Sequence, residues 1–152
     1  MQITRAADYG VRAMIHLAGR PLQSRCGIAE LAKAADAPEA FLTKVLQRLV
    51  VKGLIVSHRG PTGGFQLNEP PAEISLLDVV EAIEGPVQLN LCTNMRCATP
   101  ACGRESWCAA HLVWKHAQAK LREILGAASI DALARESKQR LASQLAAAVN
   151  ET

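Results

Sequence analysis

The stretch that decides the fold is residues 38–67, which read PEAFLTKVLQRLVVKGLIVSHRGPTGGFQL. Its first half has apolar residues at helical spacing, and Gly53 follows them as a typical helix-ending residue. In its second half the apolar runs are short: residues 54–57 and 65–67 flank a tip rich in glycine and proline. This pattern predicts a helix followed by a β-hairpin.

The residues before this stretch predict two more helices. Residues 4–19 carry apolar side chains at helical spacing behind Thr4, a capping residue. A shorter helix covers about residues 27–35, and Pro38 suits the first turn of the helix after it. The order of helix, short helix, turn, helix and hairpin is that of a winged helix-turn-helix. We therefore predict such a DNA-binding domain over residues 1–70.

Beyond Pro70 and Pro71 the chain predicts a second, helical part. A connecting helix, an irregular cysteine-rich loop, a long amphipathic helix and an alanine- and leucine-rich helix follow in order, over about residues 75–85, 86–108, 109–125 and 129–149. We group residues 71–108 as connecting helix and loop, and residues 109–152 as the C-terminal helical region. The predicted fold is mainly α with a small β-hairpin wing.

Composition narrows the class of protein. The 152 residues are 49% hydrophobic but only 3% aromatic, which favours helices packed through aliphatic side chains. The chain has neither a run of about eighteen apolar residues nor a basic-then-apolar leader, so we expect no membrane association and a cytoplasmic location. Residues 1–70 carry nine Lys/Arg against five Asp/Glu, whereas the remainder carries eight against nine. The basic N-terminal half favours a polyanion as partner.

The polar face of the third helix is expected to enter the major groove of DNA. Threonine and glutamine can bond to base edges, whereas lysine and arginine suit phosphates or guanine. At the hairpin tip, a tight glycine loop would project an arginine into a narrow minor groove. An ordinary solvated helix face with an incidental arginine is the alternative. The candidate DNA-contacting residues are Glu39, Thr43, Lys44, Gln47, Arg48 and Arg59.

Four of the five cysteines lie in one segment, with the spacing Cys92-x4-Cys97-x4-Cys102-x5-Cys108, and His111 follows. In a reducing compartment such a cluster indicates metal binding or redox activity rather than disulfide bonds. Zinc sites favour cysteine pairs separated by two residues, and this segment has no such pair. The looser spacing favours an iron–sulfur cluster over zinc.

Several motifs together resemble the IscR/NsrR family of bacterial regulators. They are Ala-Asp8-Tyr9-Gly10-Val-Arg-Ala, Gln47-Arg48-Leu49, Lys52-Gly53-Leu54, Arg59-Gly60-Pro61-x-Gly63-Gly64-Phe65 and Ile74-Ser75-Leu-x-Asp78-Val79-Val80. The resemblance extends to about residue 133. It implies a homodimeric winged-helix repressor, with an activator as the alternative, that binds a double-stranded DNA operator and dimerises through the long helix after the cysteine loop. It also implies a [2Fe–2S] or [4Fe–4S] cluster that senses nitric oxide, redox state or iron–sulfur supply.

The resemblance leaves the first and the fourth ligand open. Family members use three cysteines of this loop, and this chain has four. Counted back from the long helix, the spacing favours three residues: Cys97, Cys102 and Cys108. Counted from the preceding helix, Cys92 takes the place of the first ligand. The fourth ligand is His111 in one branch of the family, and in the other an acidic residue of the partner subunit that matches Asp8. A surface histidine and a carboxylate that complements a helix N-terminus are the plainer alternatives.

Two other classes of protein compete with a cluster-sensing regulator. An electron-transfer or cluster-carrier protein has no need of a wing, and a regulator with a structural zinc site would use the same cysteines. No histidine lies in a recognisable catalytic motif, so we expect no enzyme. Cys26 stands apart from the cysteine segment and is predicted to be a buried, idle thiol, while Trp107 and Trp114 are predicted to pack around the cluster.

Overall fold

The structure, a computed structural model, describes residues 3–60, 63–93 and 102–150, with side chains up to residue 148. In these residues α-helices and one antiparallel hairpin follow the predicted order. The elements are α1 Arg5–Ala18, α2 Ile28–Ala35, α3 Glu39–Val51, β1 Ile55–His58, β2 Gly64–Leu67, α4 Leu76–Glu84, a 3₁₀ turn Leu91–Thr93, α5 Ala109–Ala127 and α6 Ile130–Asn150. The predicted fold class, mainly α with a hairpin wing, is confirmed.

Helix α1 begins where the sequence indicated. It is held by an N-cap at Thr4 and by a close crossing with α4. The Thr4 hydroxyl accepts a hydrogen bond from the Ala7 amide, 3.4 Å away, and the Thr4 amide donates to Glu84 at 2.7 Å. A Cβ on Gly10 would lie 2.2 Å from Cδ1 of Ile83. Because glycine has no side chain, α1 can approach α4 closely at this point.

The turn between α2 and α3 contains a left-handed residue. Asp36 ends α2 with φ of 52°, a conformation that aspartate tolerates better than most residues. Pro38 is the residue before α3 and not part of its first turn, one position from the prediction and within the usual uncertainty of a helix boundary. Helical spacing places Phe41 with the apolar residues of α3, but its side chain remains 43% exposed and contacts Tyr9 edge-to-face, with centroids 5.9 Å apart.

The hairpin is joined to the segment in front of α2. Strands β1 and β2 pair in register from Ile55 opposite Leu67 to His58 opposite Gly64. Cys26 and Phe65 exchange two backbone hydrogen bonds, each 2.9 Å long, so that Cys26 acts as a one-residue third strand. The wing is thereby fixed to the body of the domain rather than projecting from it alone.

The C-terminal helices return to the N-terminal domain. A capping box between Ser75 and Asp78 begins α4, and the same Ser75 forms a β-bridge with Ser129. Ile130 is fully buried in the core shared with α1 to α4, and Lys138 donates to the Gly19 carbonyl at 2.8 Å. The first turns of α6 therefore pack on the winged domain. Among the described residues, no helix is both long and apolar enough to cross a membrane.

Candidate nucleic-acid interface and metal centre

The third helix presents a polar face to solvent. Its rotation is fixed by four buried residues: Leu42, Val45, Leu46 and Leu49. Glu39, Lys44 and Gln47 are exposed, while Thr43 is half-buried and donates its hydroxyl to the Glu39 carbonyl at 2.8 Å. Within residues 3–60, 63–93 and 102–150, Lys44 and Gln47 have no hydrogen-bond or ion-pair partner. Their side chains are available to an external ligand.

Arg48 differs from its neighbours on α3. Its guanidinium donates from Nη1 to the carbonyl oxygen of Ile83, 2.7 Å away, in the last turn of α4. That carbonyl is one of the four at a helix end that have no partner inside the helix. Arg48 thus links α3 to α4, a role that nothing in the sequence pattern indicated, and its remaining N–H groups are the ones left for a phosphate.

The tip of the wing is shaped by glycine. Arg59 is exposed at the end of β1, and Gly60 follows it with φ of 101°, a conformation that favours glycine. The Gly63 amide closes the turn by donating to the Gly60 carbonyl at 2.9 Å. A Cβ on Gly63 would lie 2.4 Å from the His58 carbonyl oxygen, so only glycine fits there. Residues 61 and 62 of the tip lie outside the described residues.

The cysteine loop is described at its two ends. Cys92 lies half-buried in the 3₁₀ turn, Cys102 is exposed, and Cys108 is half-buried at the residue that precedes α5. All three are free thiols. Cys97, a predicted ligand, lies outside the described residues. Two of the candidate cysteines thus lie where the loop joins regular structure: Cys92 in the 3₁₀ turn and Cys108 directly before α5.

A buried glutamine holds the first end of this loop. Gln118 is 6% exposed on α5, and its amide donates to the Thr93 carbonyl at 3.1 Å while its carbonyl accepts from the Leu89 amide at 3.1 Å. A buried amide that satisfies two backbone groups costs far more to remove than a surface amide. Gln118 therefore ties the turn that carries Cys92 to α5. Sequence reasoning missed it, because a lone glutamine in a helix carries no signal.

An ion pair strengthens the same junction. Arg122 of α5 pairs with Glu81 of α4 through both of its terminal nitrogens, and Glu81 also accepts a hydrogen bond from the Val87 amide at 2.8 Å. Both side chains are mostly buried, which limits screening by solvent. The connection from α4 to the loop and the start of α5 are thus held as one unit.

The two candidates for a fourth ligand have different surroundings. His111 lies in the first turn of α5, where its amide donates to the Cys108 carbonyl at 3.0 Å, and its buried Nδ1 has no hydrogen-bond partner among the described residues. A buried ring nitrogen without a partner is costly unless a ligand occupies it. Asp8 is paired with Arg12 on the surface of α1, at 2.6 Å. His111 is thus the one with a coordinating atom left over.

The two tryptophans near the start of α5 are both exposed. Trp107 is 71% exposed, with the guanidinium of Arg104 5.9 Å from its ring centroid, and Trp114 is 40% exposed. Because residues 94–101 of the cysteine loop lie outside the described residues, the packing of these rings around a cluster stays a prediction. Cys26, by contrast, is fully buried as predicted.

A helix with a free polar face beside a glycine-tipped wing defines a winged helix-turn-helix regulator of transcription. The chain belongs to the Rrf2 family: residues 3–136 match the model of that family, which is described as an iron-dependent transcriptional regulator. It is 39% identical over 87 residues to an HTH-type transcriptional regulator of Mycobacterium tuberculosis, found in two strains. That match covers 57% of this chain and spans about half, 54%, of the length of those relatives.

Solved structures of similar proteins extend the likeness over most of the chain. CymR, the global cysteine regulator of B. subtilis, is 25% identical, has a TM-score of 0.70, and is matched over 90% of this chain and 98% of its own. Staphylococcus aureus CymR is 27% identical with a TM-score of 0.66, over 86% and 96%. The T. potens IscR, at 20% identity, has the same fold, with a TM-score of 0.72 over 92% and 90%. The predicted relationship to IscR-type regulators is confirmed.

Proposed function

We propose that this chain is a homodimeric transcription repressor whose binding to an operator is controlled by an iron–sulfur cluster on the cysteine loop. The observation that carries the proposal is the buried Nδ1 of His111, which lies one turn after Cys108 and has no hydrogen-bond partner among the described residues. The residues suit such a group: free thiols at both ends of the loop, and an imidazole nitrogen with no partner in the described part of the chain, are the donors that iron–sulfur clusters accept. Membership of a family of iron-dependent regulators supports it.

The proposed ligands are Cys102, Cys108 and His111, together with Cys97 or Cys92 as the first cysteine. Cys92 is held close to α5 through the hydrogen bonds of Gln118, which favours it more than the sequence did. Asp8 is the weaker candidate for the fourth position, because its carboxylate is paired with Arg12. A set with one nitrogen ligand is expected to be more labile than four thiolates, as a sensor requires.

When bound, the cluster supplies a centre that reacts with nitric oxide or oxidants or reflects iron–sulfur supply. The residues of the chain transmit its state. Cys108 and His111 lie at the start of α5, while Glu81 and Arg122 connect α5 to α4, and Arg48 connects α4 to the recognition helix α3. This series of direct contacts joins the loop to the proposed DNA-contacting surface, so ordering of the loop can bias the position of α3.

Dimerisation is proposed through the outward side of α5. Three apolar side chains on this helix, Leu112, Val113 and Ile124, are 62%, 63% and 66% exposed. They lie on the side of the helix away from the buried Gln118, as helical geometry at about 100° per residue requires. Three large apolar side chains left exposed on one side of a helix favour a second copy of the chain as partner. Two copies would present two α3 helices to successive half-sites of the operator.

DNA contact is proposed for the exposed side chains of α3 and for the wing. Lys44 and Gln47 have no partner in the described residues, and Arg59 is exposed at the tip of the hairpin. Gln47 suits a base edge, and Lys44 suits a phosphate. Arg48 contributes mainly by holding α3 against α4, with its remaining N–H groups available to the backbone of DNA.

The test is anaerobic reconstitution with iron and sulfide, followed by Mössbauer and resonance Raman spectra and by operator binding at fixed salt. We expect the His111→Ala variant to lose the nitrogen-ligand signature and to release its cluster faster, whereas the matched variant His116→Ala, on the same helix, keeps the spectrum and the cluster-release rate of wild type. Loss of the cluster in Cys92→Ser with retention in Cys97→Ser would assign the first ligand to Cys92. Equal operator affinity with and without the cluster would overturn the proposal.

A further inference from the structure

Three potential metal ligands outside the cysteine loop converge on one point of the winged domain. The side chains of His16 on α1, Cys26 in front of α2 and Glu30 on α2 offer a nitrogen, a sulfur and an oxygen that all lie within 4.8 Å of one another. They are separated by ten and by four residues in the chain, so the fold and not the local sequence brings them together. The three groups are charged or ionisable, and this convergence requires an explanation.

The Glu30 carboxylate already interacts with the other two side chains. The Nε2 atom of His16 lies 2.9 Å from Oε1 of Glu30, and the pKa of Glu30 is lowered, first by this hydrogen bond and then by the neighbouring Cys26 thiol. Burial and the Glu30 carboxylate raise the pKa of the Cys26 thiol to about 11. Without a cation, therefore, Cys26 is a neutral thiol beside a carboxylate that accepts hydrogen bonds.

The same three donors match what a borderline divalent cation prefers. Thiolate, imidazole and carboxylate are the ligands of tetrahedral zinc, and bond lengths of about 2.0–2.3 Å place neighbouring donors about 3.3–3.8 Å apart. Donors that all lie within 4.8 Å need only small side-chain movements to reach that arrangement. A cavity of about 690 Å³ between α1, α2 and α6 is lined by His16 and Glu30 and leaves room for water in the fourth position.

The competing explanation is an ordinary surface ion pair beside a buried thiol. Arg20 also pairs with Glu30 Oε1, and a guanidinium next to a carboxylate opposes a second cation there. Yet a surface ion pair does not account for the position of the Cys26 sulfur beside it. Cys26 is fully buried and contributes no charge to such a pair. The Nε atom of Arg20 is itself buried without a partner in the described residues, so this ion pair is not an optimised one.

We propose that His16, Cys26 and Glu30 form a second metal site, distinct from the cysteine loop, that takes a zinc-like divalent cation with water as fourth ligand. Binding removes the proton of the Cys26 thiol, which leaves to solvent as the sulfur–metal bond forms, and no electron is transferred. Arg20 moves from the ligating oxygen of Glu30. The site goes beyond the proposed cluster function and does not depend on it.

The location of the site gives it a consequence for DNA binding. Cys26 pairs through its backbone with Phe65 of the wing, while its side chain reaches α1 and α2. A cation held by its sulfur would therefore fix the wing, α1 and α2 to one point. We expect metal binding to slow hydrogen exchange at the Phe65 amide, which donates to the Cys26 carbonyl at 2.9 Å.

The experiment is a cobalt(II) titration of the full-length chain in which four cysteines are replaced by serine: Cys92, Cys97, Cys102 and Cys108. Cys26 is then the remaining thiol, so a sulfur-to-cobalt charge-transfer band reports on it alone. We expect this band together with tetrahedral d–d bands, and loss of both in the Cys26→Ala derivative. Persistence of the charge-transfer band without Cys26, or its absence from the parent up to millimolar cobalt, would overturn the proposal.

The Cys26→Ala derivative could fail to fold because Cys26 is buried, so the test also replaces the two partly exposed ligands, His16 and Glu30. His16→Gln and Glu30→Gln are each expected to weaken cobalt binding by at least about tenfold. The matched variants Glu69→Gln and Glu73→Gln, exposed between the wing and α4, should leave it unchanged. If the four variants bind cobalt equally, the site is not built from these residues. Because the loop cysteines are absent from this protein, the outcome is independent of whether the wild-type chain holds an iron–sulfur cluster.

Discussion

Gly64 of the wing lies so close to Cys26 that a Cβ on Gly64 would stand 2.6 Å from the Cys26 carbonyl oxygen. Its φ of 149° also favours glycine. The close approach is what allows Cys26 to pair with Phe65, the residue after Gly64, and it fixes the wing against the segment that leads into α2.

Replacing Gly64 with alanine should therefore destabilise the protein by about 2 kcal/mol or more, because the obstructing atom belongs to the backbone and cannot rotate away. Urea unfolding followed by circular dichroism measures the change. Gly27→Ala is the matched control: a Cβ there meets nothing within 4 Å, and replacing this glycine N-cap of α2 should cost no more than about 1 kcal/mol, clearly less than Gly64→Ala. Equal effects of the two substitutions would contradict the role given to Gly64.

Gln118→Ala should lower the free energy of unfolding by about 1–3 kcal/mol, because it leaves the Leu89 amide and the Thr93 carbonyl without partners. Gln139→Ala, on the exposed side of α6, should be neutral in the same urea experiment. If Cys92 is a ligand, the Gln118 variant should also lose a reconstituted cluster faster than wild type. A neutral Gln118 variant would show that the turn does not depend on this amide.

Lys44→Ala should weaken binding to operator and non-operator DNA alike and reduce the slope of affinity against salt by about one counterion. The reason is that Lys44 is exposed on α3 without a partner in the described residues, so its loss costs a phosphate contact and little stability. Fluorescence anisotropy at several salt concentrations measures the slope. Lys115→Ala on α5 serves as the control, and an unchanged slope in Lys44→Ala would place α3 away from DNA.

The stability of the protein should fall between about pH 9 and pH 11 through Cys26. Burial raises the pKa of this thiol from 9.0 to about 11, so the folded state favours the neutral thiol. That contribution is complete below pH 9 and is lost as the pH rises through the folded-state value. Urea midpoints of wild type and Cys26→Ala, measured with chelator at pH 8 and pH 10.5, test it: the difference between the two proteins should shrink or reverse at the higher pH. A constant difference would mean that Cys26 does not titrate with folding.

Ile124→Glu should convert a dimer into a monomer, because the isoleucine is 66% exposed on the outward side of α5 and its replacement would place a charge in the proposed interface. Light scattering after size-exclusion chromatography gives the mass. Lys115→Glu introduces the same charge on the same helix and should leave the mass unchanged. A wild-type protein that is monomeric at micromolar concentration would remove the proposed interface altogether.

Much of the fold was readable from local pattern. Thr4, Ser75 and the change from helical spacing to short apolar runs after Gly53 mark element boundaries that the structure reproduces, because caps and turns depend on neighbours a few residues away. Phe41 was misplaced for the opposite reason: helical spacing puts it with the apolar residues, and only the position of Tyr9 decides that it lies at the edge of the core.

The candidate site divides in the same way. The cysteine spacing and the polar face of α3 are properties of the sequence, and they were enough to predict a regulator related to IscR. The partner of Arg48 and the contacts of Gln118 with the loop are not encoded in any spacing, since each depends on an element far away in the chain. Nor does any spacing indicate that Nδ1 of His111 is buried without a partner among the described residues.

The sequence by itself determined the order of elements, the class of protein and the cysteine segment, because periodicity, capping and ligand spacing are short-range properties. Tertiary structure alone decided that Cys26 meets His16, Glu30 and the wing, and that Gly64 must be glycine where it passes Cys26. Contacts between distant segments are set by how whole helices pack and not by the residues beside them, which is why the proposed second metal site has no signature in the sequence.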